Sequence, residues 1–170
     1  MAGLIRALRL LALVVWVGGL VFFAFVVAPV AFTVLPSTHI AGTVVAGTLG
    51  VLNTIGLVCG VLILVACAIL WTEARTGPDS PAAARTAHLL TVELWLVLIM
   101  LVATAYVKWS IVPAMERDRV AAGGDVSAVP ATNPARLDFE RLHPISEKVE
   151  GTALLLGLGT VILVALERAA

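Results

Sequence analysis

Apolar residues run on along this chain for longer than any water-facing element allows. No charge interrupts Leu10 to Leu35, and none interrupts Ile40 to Trp71. Leu89 to Val107 is broken only by Glu93, and Val149 to Leu166 only by Glu150. A helix needs roughly 20 apolar residues to cross a hydrocarbon core, so these four runs predict four transmembrane helices. Strands of a membrane barrel would show short alternating segments instead. The expected architecture is an all-α bundle in a single domain over residues 1–170, with spans at about 10–35, 40–71, 88–112 and 146–166.

Between the third and fourth runs the pattern changes. Charges at Glu116, Arg117, Asp118 and Arg119 mix with Ile111, Val112, Met115 and Val120, the spacing of a helix continuing beyond the membrane. Pro113 is expected to kink that helix. Gly123-Gly124 and the Ser, Pro, Thr and Asn residues up to Pro134 mark a loop tip. From Ala135 to Leu142 the chain turns helical again, with Arg136 and Glu140 four apart on a solvated face. Residues of about 113–145 thus predict a short helical extension outside the membrane.

Lysine and arginine in short flanking segments favour the cytoplasm. Arg6 and Arg9 precede the first span, Arg75 and Arg85 lie in the second loop, and Arg168 follows the last span. The first loop, Pro36 to His39, carries no such charge. The expected orientation therefore places both termini in the cytoplasm of an inner or plasma membrane. Lys108, Arg117, Arg119, Arg136, Arg141 and Lys148 oppose it, but the third loop is long and such loops weigh less. The first run is much longer than a signal-peptide core of about 7–15 residues, so it is expected to be retained.

Composition narrows the partners. The chain is 61% hydrophobic and 13% charged, with eleven basic and eleven acidic residues and a mean hydropathy of +1.07. A lipid bilayer is the expected partner, and nucleic acid is excluded because neutralising phosphates needs a net basic patch. Cys59 and Cys67 lie about 12 Å apart along one helix, too far to bridge. Small residues at helical spacing (Gly18 and Gly19; Gly42, Ala46 and Gly50; Gly56 and Gly60; Gly157 and Gly159) let helices approach closely. They serve packing within the bundle or a homo-oligomer.

No nucleophilic triad, phosphate-cradling loop or CxxC knuckle is present, so an enzyme is disfavoured. The remaining polar set is small. His143, Glu147 and Glu150 follow at i, i+4 and i+7 on one helical face, and His39 lies in the first loop on the same side of the membrane. Two imidazoles with carboxylates suit a borderline ion such as zinc or copper, which makes His39, His143, Glu147 and Glu150 a candidate metal site. The structural alternative is a helix start, with Pro144 at its first position and acids favoured by the dipole. Glu93 and Asn53 lie deepest in the spans. Glu93 is expected to snorkel or to bond a neighbouring helix, with a proton or ion pathway as the rival. Trp71, Trp109 and Tyr106 are expected interfacial anchors. Trp16 and Trp95, inside spans, need packing or an acceptor for the indole N–H.

The stretch Trp16-Val-Gly-Gly-Leu-Val-Phe-Phe-Ala-Phe-Val-Val-Ala-Pro29, then Val34-Leu-Pro36 and His39-Ile-Ala-Gly42, resembles the start of the transmembrane protein 205-like family, also called domain of unknown function 4149. The resemblance resumes at Tyr106, Trp109, Pro113 and Met115, and again at Phe139-Glu-Arg-Leu-His143 with Ser146. It implies four spans with a polar segment between the third and fourth, and no settled activity. His39, Trp109, Pro113, His143 and Ser146 match its motifs, whereas Glu147 and Glu150 fall where relatives carry other residues. The Trp-x-Gly-Gly core also looks like the first span of copper-resistance D proteins and of the haem-binding HemJ type. Those place a histidine two turns before the tryptophan, where this chain has Leu8, so a haem cofactor ranks below a zinc or copper ion.

Overall fold

The computed structural model describes residues 1–77 and 80–168, with Arg168 described for its backbone alone. Helix α1 (Ala2–Phe22) passes through a π-turn, Phe23–Val27, into α2 (Ala28–Val34). Helix α3 (Thr38–Thr76) returns, and α4 (Pro81–Tyr106) passes through a second π-turn, Val107–Ile111, into α5 (Val112–Ala121). A 3₁₀ turn, Val126–Ala128, leads to α6 (Pro134–Arg168). Four continuous helical stretches, Ala2–Val34, Thr38–Thr76, Pro81–Ala121 and Pro134–Glu167, are each long and apolar enough to cross a membrane. The Arg168 side chain, one of the charges behind the expected orientation, lies outside the described residues.

The helix boundaries follow from local chemistry. Ser37 and Ser80 sit in extended conformation and accept hydrogen bonds from the amides of Ile40 (3.2 Å) and Ala83 (3.1 Å), capping α3 and α4. Pro81 occupies the first turn of α4, where its missing N–H costs nothing. The turn after α5 runs through Gly123 and Gly124 at φ of 78° and 102°, a region other residues rarely enter.

Pro29 and Pro113 share a context. Each stands two residues after the end of a π-turn, Phe23–Val27 or Val107–Ile111. A proline ring inside an α-helix meets the carbonyl four residues back. One extra residue in the preceding turn widens it and absorbs that conflict. At these two sites the helices continue through a π-turn, whereas Pro144, expected to open the fourth helix, lies ten residues inside α6 without one.

Helix α3 packs against both α1 and α4, while α6 lies along α4 and touches α1. Trp16 is fully buried at the centre, its indole pressed on Gly56 and Gly60 of α3. Leu13, Ile63, Val97 and Met100 surround it. A Cβ at Gly157 of α6 would come within 2.8 Å of Val17. In lipid, tight packing of this kind rather than hydrophobic transfer holds helices together. The opposite faces, with Leu8, Leu11, Val15, Val58 and Val61, are exposed and apolar, as a bilayer requires. Of the other small residues, Gly18, Gly42, Gly50 and Gly159 face open space.

Candidate functional site

Two polar layers cross the bundle. The first lies at the rim that carries both chain termini. Arg9 projects inward from α1 with 2% exposure and donates to Glu93 Oε2 of α4 at 3.2 Å and to Glu167 Oε2 of α6 at 2.5 Å. The Cys67 thiol of α3 lies beside Arg9 and Glu93, so all four spans converge there. Two carboxylates face one guanidinium, and Arg9 Nε and Glu93 Oε1 are buried with no hydrogen-bond partner among the described residues.

The second layer lies toward the rim that carries the first and third loops. Asn53 of α3, 1% exposed, donates from Nδ2 to Glu150 Oε1 of α6 at 2.9 Å. Asn53 Oδ1 and Glu150 Oε2 are both buried and unpartnered among the described residues. Close by, Lys108 Nζ of the second π-turn donates to the Thr54 hydroxyl of α3 at 2.8 Å and to the Gly50 carbonyl at 3.3 Å. Among the described residues Glu150 forms no ion pair. Glu93 and Lys108 are about 22 Å apart along their helix, and Glu150 and Glu167 about 25 Å. The layers therefore fit inside a hydrocarbon core of roughly 30 Å, with Trp16 and its unpartnered indole N–H between them.

The residues proposed as a metal set are distributed differently. His143 stacks on Phe139, with centroids 6.0 Å apart, and its Nε2 lies 3.3 Å from Glu147 Oε1 on an exposed face. Glu150 turns inward to Asn53. His39 sits in the first turn of α3 and faces Asp125 at the end of the bundle that carries the first and third loops. Among the described residues, no group of three or more His, Cys, Asp or Glu side chains is arranged to hold a metal ion. Asp125 itself is held below the ordinary carboxyl value. The Ser127 hydroxyl and amide donate to it, and His39 adds a favourable field.

The remaining predicted positions have clear surroundings. Glu93 bonds a neighbouring helix through Arg9. Trp109 and Tyr106 are exposed on the third span, and Trp71 donates its indole N–H to Thr91 at 3.1 Å. Trp95 is 62% exposed on the lipid-facing side of α4. Ser146 is buried, while Pro36 is an exposed residue of the first loop and Gly19 packs on Leu52.

Sequence reasoning missed Arg9 and Glu167 as site residues. Arg9 reads as a flanking charge, but it continues the buried stripe of Ala12, Leu13, Trp16, Val17 and Leu20 at helical spacing. That register is the signal that identifies it. Lys108 likewise reads as a loop charge in the sequence.

Comparison with known proteins adds one match. No curated protein and no solved structure matches the chain. A family model does match residues 11–121, a stretch that holds Trp16, Glu93 and Lys108 and ends before His143, Ser146 and Glu150. That stretch is well over half of the chain, which therefore belongs to the family described as Domain of unknown function (DUF4149).

Proposed function

We propose that this integral membrane protein binds a small monovalent cation, a proton or an alkali ion, at Glu150 and Asn53. The carrying observation is the pair of buried oxygens, Glu150 Oε2 and Asn53 Oδ1, that face no donor although their side chains are bonded to each other. An uncompensated carboxylate in low dielectric is strongly unfavourable, so it takes up a proton or pairs with a cation. Carboxylate and amide oxygens are hard donors, suited to hard cations rather than to zinc or copper. This reading narrows the wider expectation of a cation site built from His39, His143, Glu147 and Glu150 to the last of these. It takes both termini as cytoplasmic, so that Glu150 is reached from the extracytoplasmic side.

Carbodiimide labelling tests the reading, because the reagent attacks protonated carboxyls in apolar surroundings. Labelling of purified protein at Glu150, located by peptide mass spectrometry and slowed by Na⁺ or by rising pH, supports it. An unlabelled Glu150, together with a melting temperature unchanged by Na⁺ or by Glu150→Gln, overturns it.

A homo-oligomer through the open face of Gly42, Ala46 and Gly50 is a second reading, supported by the empty space over both glycines. Native mass spectrometry of the wild type and Gly42→Leu distinguishes it from a monomer.

A further inference from the structure

On the lipid-facing side, α4 and α6 diverge to leave a groove of about 550 Å³. Its walls are Trp95, Leu98, Ile99 and Val102 of α4 with Val149 and Thr152 of α6, and almost all of its surface is apolar. Tyr106 and Lys148 close its upper end. From Trp95 to Tyr106 the groove runs about 16 Å, close to one leaflet's share of a hydrocarbon core of roughly 30 Å.

The unpaired charges nearest it are basic, with exposed Asp138 a further turn along α6. The Lys148 ammonium takes part in no ion pair or hydrogen bond among the described residues, its carbonyl alone accepting from the Thr152 hydroxyl, and the Arg141 guanidinium is likewise unpaired. Seven residues apart on α6, the two lie on one face, which continues through Thr152 into the groove. The nearby acid, Glu147, projects from a different face and is drawn to His143. Glu140 is held by Arg136. A free ammonium, a free guanidinium and the Tyr106 hydroxyl thus stand over an apolar slot one leaflet deep.

We infer that this groove is a binding site for an anionic phospholipid. One acyl chain lies along Trp95, Leu98 and Val102, and the headgroup phosphate pairs with Lys148 and Arg141. The length of the groove matches the chain, and the unpaired cations match the charge. A zwitterionic lipid fills the slot but brings a cationic group toward Lys148, so the site discriminates by headgroup. The inference is independent of the cation site, which faces the bundle interior.

Quenching by brominated lipids tests it, because Trp95 forms a wall of the groove. Protein in phosphatidylcholine nanodiscs is titrated with small fractions of brominated phosphatidylglycerol or brominated phosphatidylcholine, with Trp95→Phe to isolate the Trp95 signal. The expected result is stronger quenching of Trp95 by the anionic lipid. Each basic residue is worth about fivefold in lipid preference, so Lys148→Ala lowers the preference by about that factor and Lys148→Ala with Arg141→Ala abolishes it. Arg117→Ala, an exposed charge away from the groove, leaves it unchanged. Equal quenching by the two lipids in the wild type, or an undiminished preference in the double variant, overturns the inference. Both basic side chains are outside the packed core, so folding is monitored only as a control.

Discussion

Arg9 and Glu93 are 84 positions apart in sequence and 3.2 Å apart in the bundle, both almost completely buried. Their contact sets the register between the first and third spans, and the second bond from Arg9 to Glu167 ties in the fourth. A guanidinium suits this role because its planar fork addresses two carboxylates at once. The start of α1, the middle of α4 and the end of α6 are thereby fixed at one level, from which the rest of the bundle packs around Trp16.

Removing Arg9 leaves Glu93 and Glu167 buried without a counter-charge. Breaking one partner of a buried ion pair costs about 3–5 kcal/mol, so Arg9→Ala is expected to lower stability by that order. Replacing the whole cluster with apolar residues, Arg9→Met with Glu93→Leu and Glu167→Leu, is expected to recover most of the loss. Detergent unfolding of the single and triple variants measures both. A triple variant no more stable than Arg9→Ala would show that the cluster is not the origin of the effect.

Trp16 and Gly56 provide a packing test. A Cβ at Gly56 falls inside the indole of Trp16, and at Gly60 it meets Leu101 at 2.6 Å and Trp16 at 2.8 Å. Gly56→Ala is therefore expected to cost about 1–3 kcal/mol through overpacking. Trp16→Phe, which removes the indole N–H edge nearest Gly56, should partly restore it. At Gly18 a Cβ meets open space, and Gly18→Ala should be neutral or slightly stabilising, since glycine costs about 1 kcal/mol in a helix. Thermal melts that rank the two alanine variants the other way would refute this packing account.

The four-helix architecture was legible because uncharged runs of that length have few other uses. The location of the polar cores was not. In a soluble helix the polar face points outward and identifies the buried one, but here both faces of α1 are apolar, and Arg9 looked like a flanking charge. Glu150 was recognised as a candidate ligand on the face it shares with His143 and Glu147. Its inward turn depends on Asn53, almost a hundred residues earlier, a pairing that spacing within one helix does not reveal. The π-turns were hidden for a related reason. Pro113 correctly drew attention to its helix, but a kink and a widened turn have the same sequence signature.

The hairpin tip has its own pH dependence. Asp125 accepts from the hydroxyl and amide of Ser127 and lies below the ordinary carboxyl value of 3.8. A carboxyl depressed in the folded state contributes stability above its unfolded value, and that contribution is lost as pH falls through the folded one. Local order at Val126–Ala128 should therefore persist at pH 5 and loosen below the ordinary range. Ser127→Ala removes one donor and should move the Asp125 titration upward in a carboxyl-carbon NMR experiment. An unmoved titration would assign the depression to the Ser127 amide and His39 rather than to the hydroxyl.

The π-turn before Pro113 yields the last prediction. A π-turn holds one residue more than the α-turn it replaces. Deleting exposed Ser110 from Val107–Ile111 should close that turn while leaving α4 and α5 in register. The deletion alone then places the ring of Pro113 in a regular helix, at a cost of about 3 kcal/mol. Combined with Pro113→Ala, the same deletion removes both the extra residue and the reason for it, and stability should return toward that of the intact chain. Deleting Ala103, within the regular part of α4, shifts everything beyond it by one position and rotates Lys108 away from Thr54, so Pro113→Ala should give it no rescue. Melting temperatures of the four variants separate the cases. Equal behaviour of the Ser110 and Ala103 deletions would mean that the widened turn is not an accommodation to Pro113.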